Sequence, residues 1–270
     1  MNWSVIARKE FRDSSRSRSL WALAALLVLS IPAAVYVVGF LLSQTQASEA
    51  TGTTLVALLT QQGSFFLTSL VPVLGLMAAY ASIVGERSSG SLKILLGLPY
   101  SRRDVVVGKF VGRAAVLAAA TVAAFAVGFL FLLTYDELAV LDYLFFFFLT
   151  TLLGTVYVAV AVGISAGVKT RSRAAAAAVG VFFFFKFLWD TSLVPRIVVY
   201  VVERDAASLT STPGWYEYLV AFGPNEAYSN VANGYLEGFG SVELLSAAVL
   251  VAWVVVPVVF GYLRFETTDL

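Results

Sequence analysis

Six stretches of about 20 residues with almost no charge run through this chain, and they restrict its fold more than any other feature. They are 20–42, 64–84, 110–133, 143–168, 174–193 and 244–263. A helix rises about 1.5 Å per residue, so about 20 apolar residues cross a hydrocarbon core about 30 Å thick. Backbone groups cannot go unpaired in lipid, which leaves helices or a closed barrel, and none of these runs has the alternating polarity of a barrel strand. The expected fold is therefore an all-α, polytopic bundle of six membrane helices forming one domain over 1–270. Composition agrees: 59% of the 270 residues are apolar and only 13% are charged, against about 25% charged in soluble domains. The first block is too long for the h-region of a signal peptide and reads as a retained helix.

The same composition removes whole classes of function. A net charge of +1 gives no footprint for nucleic acid. Without Cys or His there is no disulfide framework, no thiolate chemistry, no zinc site of the usual kind and no Ser-His catalysis. No catalytic residue and no metal site are expected. An intramembrane enzyme would need a nucleophile with a base, paired carboxylates or metal ligands, and the spans carry almost no titratable groups.

Orientation follows from the basic residues. Arg8, Lys9, Arg12, Arg16 and Arg18 precede the first span; Arg87, Lys93, Arg102, Arg103, Lys109 and Arg113 cluster between the second and third; Lys169, Arg171 and Arg173 separate the fourth and fifth; and Arg264 follows the sixth. That places 15 of 18 basic residues on one side, while the other side collects Glu49, Asp136, Glu137, Glu203, Asp205, Glu217, Glu226, Glu237 and Glu243. By the positive-inside rule this is a multi-pass protein of the cell membrane with both termini cytoplasmic. Pro32, Pro72 and Pro257 fall inside spans and are expected to kink them, which membrane helices tolerate.

Two cytoplasmic segments have a pattern of their own. In 1–19, Trp3, Ala7 and Phe11 fall on one helical stripe beside Arg8, Arg12 and Arg16, the arrangement of an amphipathic helix in the headgroup plane. In 85–109, Gly90 precedes a short apolar helix at about 91–96, and Gly97, Leu98 and Pro99 end it. Ser101 and Asp104 approximate a capping box that starts the next helix. The expected result is a short helix below the membrane, with Leu92, Leu95 and Leu96 as an apolar patch rimmed by Glu86, Arg87, Lys93, Arg102 and Arg103. Such a patch suits either a protein partner or anionic lipid.

In this segment the chain resembles the permease subunits of ABC-2 type ATP-binding-cassette transporters. The matching residues are Glu86, Gly90, Ser91 and Leu92, then Pro99, Ser101, Arg102, Asp104, Gly108 and Lys109, in order and spacing. Ala7 to Arg12, including Arg8 and Lys9, resembles the family's connecting helix, and six spans in about 270 residues fit its layout. Within the family the chain looks most like the permeases grouped with nitrous-oxide-reductase maturation systems. With no Cys, no His and only Met1 and Met77, it lacks the soft ligands that Cu(I) prefers, and copper is not expected to pass through it.

The resemblance implies a transmembrane exporter subunit with 85–109 as the coupling helix. A separate ATP-binding subunit would hold ATP and Mg, and a second permease chain would complete a homo- or heterodimer. No cofactor is expected in this chain, because Gly108-Lys109 is followed by Phe110 and lacks the spacing of a phosphate-binding loop. The alternative is a non-transporting membrane anchor that recruits a partner through the same segment.

Lys186 is the one basic residue well inside a span, with Asp190 four residues on and able to pair along one helix face. Either the pair is a snorkelling surface feature or it lines a pathway. The stretches 145–148 and 182–185, all Phe, are filler facing lipid or a greasy path. The segment 194–243 reads as an extracytoplasmic loop, with Trp215, Tyr216, Tyr218 and Phe222 marking a helix in the outer interface.

Overall fold

The computed structural model describes residues 3–14, 17, 21–22, 25–30, 32–33, 36–37, 40, 64–133, 139–204 and 212–267. The first expected span, 20–42, falls partly outside these residues; its described part is helical. Arg16, Arg18, Glu49, Asp136, Glu137 and Asp205 also lie outside them.

The described chain is helical and contains no strand. Helix α1 (Trp3–Ser14) is followed by α2 (Ser64–Ala79), α3 (Val84–Ser89), α4 (Ser91–Leu96), α5 (Arg102–Leu132), α6 (Val140–Gly167) and α7 (Arg171–Phe183). A π-helical turn, Phe184–Trp189, continues α7, and α8 (Leu193–Glu203), α9 (Tyr216–Val220), α10 (Pro224–Glu237) and α11 (Ser241–Glu266) complete the order. Among the described residues, five segments are long and apolar enough to cross a membrane: Leu67–Ser89, Arg102–Leu130, Val140–Gly167, Arg171–Trp189 and Ser241–Glu266.

Helix α6 is the centre of the bundle. Its residues Leu153, Val156, Tyr157, Val158, Ala159, Ala161 and Val162 are buried on every side, as an all-round apolar helix must be when other helices, rather than lipid, surround it. It packs on α2, α5, α10 and α11, meeting α11 where Gly163 and Gly261 bring the two backbones together. Pro257 lies at this crossing, inside α11 as expected, and Pro72 lies inside α2.

At one end of the bundle, arginines and a serine satisfy backbone groups that the helices leave unpaired. Arg87 donates to the carbonyls of Val168 and Ala166 at 2.6 and 3.3 Å, closing α6. Arg102 donates to those of Phe265 and Glu266 at 2.6 and 2.8 Å, closing α11. A cation at a helix C-terminus also complements its dipole. The chain turns between α2 and α3, and there Ser165 Oγ accepts from the Ile83 and Val84 amides at 3.0 and 3.1 Å. The expected capping box forms at the start of α5: Ser101 N donates to Asp104 Oδ2 and Asp104 N to Ser101 Oγ, both at 3.1 Å.

The segment 194–243 departs from the expected loop. It contains α8, α9 and α10; the expected interfacial helix amounts to the short α9, and α10 is packed into the bundle. Along α10, Tyr235 bonds Asp142 at 2.8 Å, Tyr228 lies 3.3 Å from Thr150, and Asn225 accepts from Tyr157 at 2.8 Å. Earlier residues of α10 meet later residues of α6, so the two helices run antiparallel. The matching residues of α10, Asn225 and Tyr235, are about ten residues or 15 Å apart along its axis. Its polar residues escaped the hydropathy pattern because its buried face meets protein, not lipid.

Candidate functional site

The short helix α4 hangs from the bundle on a turn that only glycine makes without strain. Gly90 has φ +78°, and its left-handed conformation ends α3 and starts α4. The orientation of α4 corrects the expected apolar patch. Leu92 is 1% exposed and belongs to the core, Leu95 and Leu96 are half-buried, and the outward apolar side chains are Ile94 and Leu98, 75% and 51% exposed. Ser91, Lys93, Pro99, Ser101 and Arg103 are exposed around them. Arg87 and Arg102 instead face inward onto helix ends, their guanidiniums each 5.4 Å from the Phe265 ring.

Beneath α4 lies a buried charge network. Lys109 Nζ sits 2.6 Å from Glu10 Oε1 and 2.9 Å from Glu86 Oε1, its side chain fully buried. Arg113 lies 2.9 Å from Glu10 Oε2 and also donates to the Ala78 carbonyl at 3.1 Å; Lys9 stands 3.7 Å from Glu86. Burial alone would raise the Glu10 carboxyl, but the facing charges of Lys109 and Arg113 outweigh it and hold it below its usual value of 4.5. The network ties α1 to α5 and to the α3–α4 hook.

This network adds a second face to α1 beside the stripe of Trp3, Ala7 and Phe11. Ile6, Ala7, Glu10 and Ser14 face the bundle, while Trp3 and Phe11 are exposed beside Arg8, Lys9 and Arg12. A stripe traced through apolar residues passes over Glu10, which can be buried only because Lys109 and Arg113 answer it. Gly108 and Gly112 on α5 permit the approach: a Cβ on Gly108 would stand 2.7 Å from Ile6 Cβ, and one on Gly112 2.6 Å from Glu10 Cβ. The small-xxx-small spacing of these two glycines was the signal available in the sequence, together with Ala7, Glu10 and Ser14 recurring at helical intervals on α1.

The second candidate lies at the start of α10. Lys186 and Asp190 pair at 3.4 Å as expected, but inside the bundle: Lys186 is 7% exposed and donates to Thr68 Oγ1 at 3.1 Å. Asn225 donates to Asp190 Oδ2 at 2.9 Å and accepts from Tyr157. Thr68, Tyr157 and Asn225 are thus polar residues of this site that hydropathy did not single out, and Glu226 beside them reads in the sequence only as one of the outer acids. The π-turn that presents Lys186 and Asp190 is a local widening of the kind found at functional sites. The two phenylalanine runs divide, with Phe146 and Phe185 buried and Phe148, Phe183 and Phe184 exposed. Among the described residues no group of acidic side chains could hold a metal ion.

The sequence model of the family described as ABC-2 family transporter protein matches residues 4–270. The probable ABC transporter permease protein NosY of Stutzerimonas stutzeri is 36% identical over 162 residues, 58% of this chain and 56% of that protein. Its namesake in Pseudomonas aeruginosa is 36% identical over 121 residues, 45% of this chain and 42% of that protein. The chain thus spans about half the length of the curated relatives it matches.

Proposed function

The chain belongs to the ABC-2 family of transporter proteins, and from that membership we propose that it is the permease subunit of an ATP-driven exporter. The whole-length family match carries this reading. ATP is hydrolysed in a separate ATP-binding subunit that docks on the exposed face of α4, with Ile94 and Leu98 as apolar anchors and Lys93 and Arg103 on the rim. Charge-rimmed apolar side chains that project from a bundle fit a protein partner. Both termini and α4 are cytoplasmic, the segment 20–42 supplies a sixth span, and a second permease chain completes the transmembrane unit.

Force applied to α4 reaches the bundle by two routes. One is covalent, through the capped start of α5. The other is ionic, from Glu86 through Lys109 to Glu10, so that α1 serves as the connecting helix and moves with the hook. Lys186 and Asp190 belong to the pathway side of the bundle, where buried charges are retained for function at a cost in stability.

The test is co-purification with the ATP-binding subunit. The double variant Ile94→Asp, Leu98→Asp is expected to lose the subunit and the ATPase activity that depends on the complex, while its thermal unfolding stays unchanged because both side chains point outward. Leu92 is unsuitable for this experiment, since a charge there enters the core. Equal recovery of an ATPase with the unaltered chain and the double variant would remove α4 as the docking site.

A further inference from the structure

Where α1 ends, the bundle opens into a cavity of about 390 Å³. Helix α1 runs alongside α5 in the same direction, with Ile6 against Gly108 and Glu10 against Gly112, so its last residue, Ser14, comes level with Val116. Both line the cavity, which follows α5 on to Ala123, about seven residues or 10 Å. Ala119 and Ala123 of α5 form one wall, Leu74 of α2 another, and Trp21 and Ala25 of the segment 20–42 a third. At the end nearest α1, Ser14 Oγ is buried without a hydrogen-bond partner. A buried water needs about two to four polar partners, and among the described residues the lining side chains offer Ser14 and the Trp21 indole alone. Outside the cavity, Arg8 stands three residues before Phe11, which lines it, so the two are neighbours on one flank of the helix. Arg8 is exposed and in no ion pair among the described residues. Lys9 occupies the opposite flank, at Glu86.

We propose that this cavity binds an anionic glycerophospholipid from the leaflet on the α1 side. One acyl chain enters between α5 and the segment 20–42, Ser14 Oγ donates to an oxygen of the glycerol backbone, and the phosphate rests on Arg8. The chemistry along the helices follows the order of the lipid. Arg8 lies six residues, about 9 Å, before Ser14 on α1, and beyond Ser14 the α5 wall of the cavity is alanine, valine and leucine. A guanidinium suits a phosphate because its donors fork onto two oxygens. The hydroxyl and the charge together single out this occupant. A wholly apolar molecule would leave Ser14 buried and unpaired, and a soluble anion would leave the apolar walls without a partner. The bound chain then ties the end of α1 to the segment 20–42, as Glu10 and Lys109 tie its middle to α5.

Trp21 lines the cavity, so its fluorescence reports the occupant. The full chain in phosphatidylcholine nanodiscs would receive increasing fractions of phosphatidylglycerol with brominated chains, or of phosphatidylcholine brominated in the same way. The quenching that disappears in Trp21→Phe belongs to the cavity. A lipid that only brushes Trp21 quenches equally whichever headgroup it carries, so the quantity to measure is the preference for phosphatidylglycerol. One basic residue at the headgroup contributes about fivefold in affinity, and the preference is expected to reach at least about that. Arg8→Gln should remove a factor of about five. Ser14→Ala should weaken quenching by phosphatidylglycerol severalfold without lowering the melting temperature in lipid-free detergent, because it deletes an unpaired hydroxyl; a purely structural serine would do the reverse. Ala119→Phe combined with Ala123→Phe, both exposed on α5, fills the cavity without entering the core and should bring the preference down to one with the helical circular dichroism unchanged. Equal quenching by the two brominated lipids in the unaltered chain would overturn the proposal. So would a preference that survives the filled cavity, which would assign it to the basic surface of α1 alone. Neither measurement needs an ATPase or a cargo, so the result is independent of the transporter reading.

Discussion

Lys109→Met isolates the joint between α1 and the rest of the bundle. The methionine fills much of the lysine's volume and removes one charge that faces Glu10 at 2.6 Å and Glu86 at 2.9 Å. Breaking a buried pair by deleting one partner costs about 3–5 kcal/mol, because the other charge is left behind. Here the lower end applies. Arg113 still meets Glu10 at 2.9 Å, and Lys9 still stands 3.7 Å from Glu86. A loss of about 3 kcal/mol corresponds to a lowering of the melting temperature by about 6–12 °C in a chain of this size. Thermal unfolding in detergent, followed by circular dichroism, measures it. The decisive arm is Glu10→Gln in the Lys109→Met background, which removes the stranded carboxylate and should recover about 1–2 kcal/mol of the loss. If Lys109→Met costs less than about 1 kcal/mol, or if the two substitutions simply add, Lys109 does not hold α1 through Glu10.

Three further outcomes follow from neighbouring geometry. The Glu10 carboxyl is held below its ordinary value, so its contribution is present above about pH 4.5 and is lost as pH falls through the depressed value; limited proteolysis at Arg8, Lys9 and Arg12 should accelerate in acid, and less so in Glu10→Gln. Gly112→Val places a side chain where Glu10 Cβ already stands at 2.6 Å, and should release α1 to protease at neutral pH while the membrane helices keep their circular dichroism. Gly90→Ala meets no steric obstacle but forces a left-handed φ of 78° on alanine, so it should cost about 1 kcal/mol through backbone strain alone, read as a melting shift of a few degrees.

Five of the spans were legible because lipid imposes a coarse rule, and a run of about 20 apolar residues satisfies it without reference to any neighbour. The capping box at Ser101 and the break at Gly90 were legible for a similar reason, since both are settled within about four residues of sequence. What escaped notice depends on partners distant in the chain. Glu10 looks solvent-facing until Lys109 and Arg113, about 100 residues away, are brought to it. Leu92 and Ile94 are indistinguishable by hydropathy, and only the direction in which α4 leaves Gly90 decides which is buried. Helix α10 reads as a polar loop because Asn225 and Glu226 depress its hydropathy, yet Asn225 is buried, accepting from Tyr157 and donating to Asp190 on two other elements.

The contacts of α10 with α6 stop well short of one end of α6. Asn225 meets Tyr157, and only about ten residues of α6 separate that tyrosine from the helix end closed by Arg87, about 15 Å or three turns. Over those three turns α6 is held instead by α11, where Gly163 meets Gly261, and by the turn between α2 and α3, whose amides donate to Ser165.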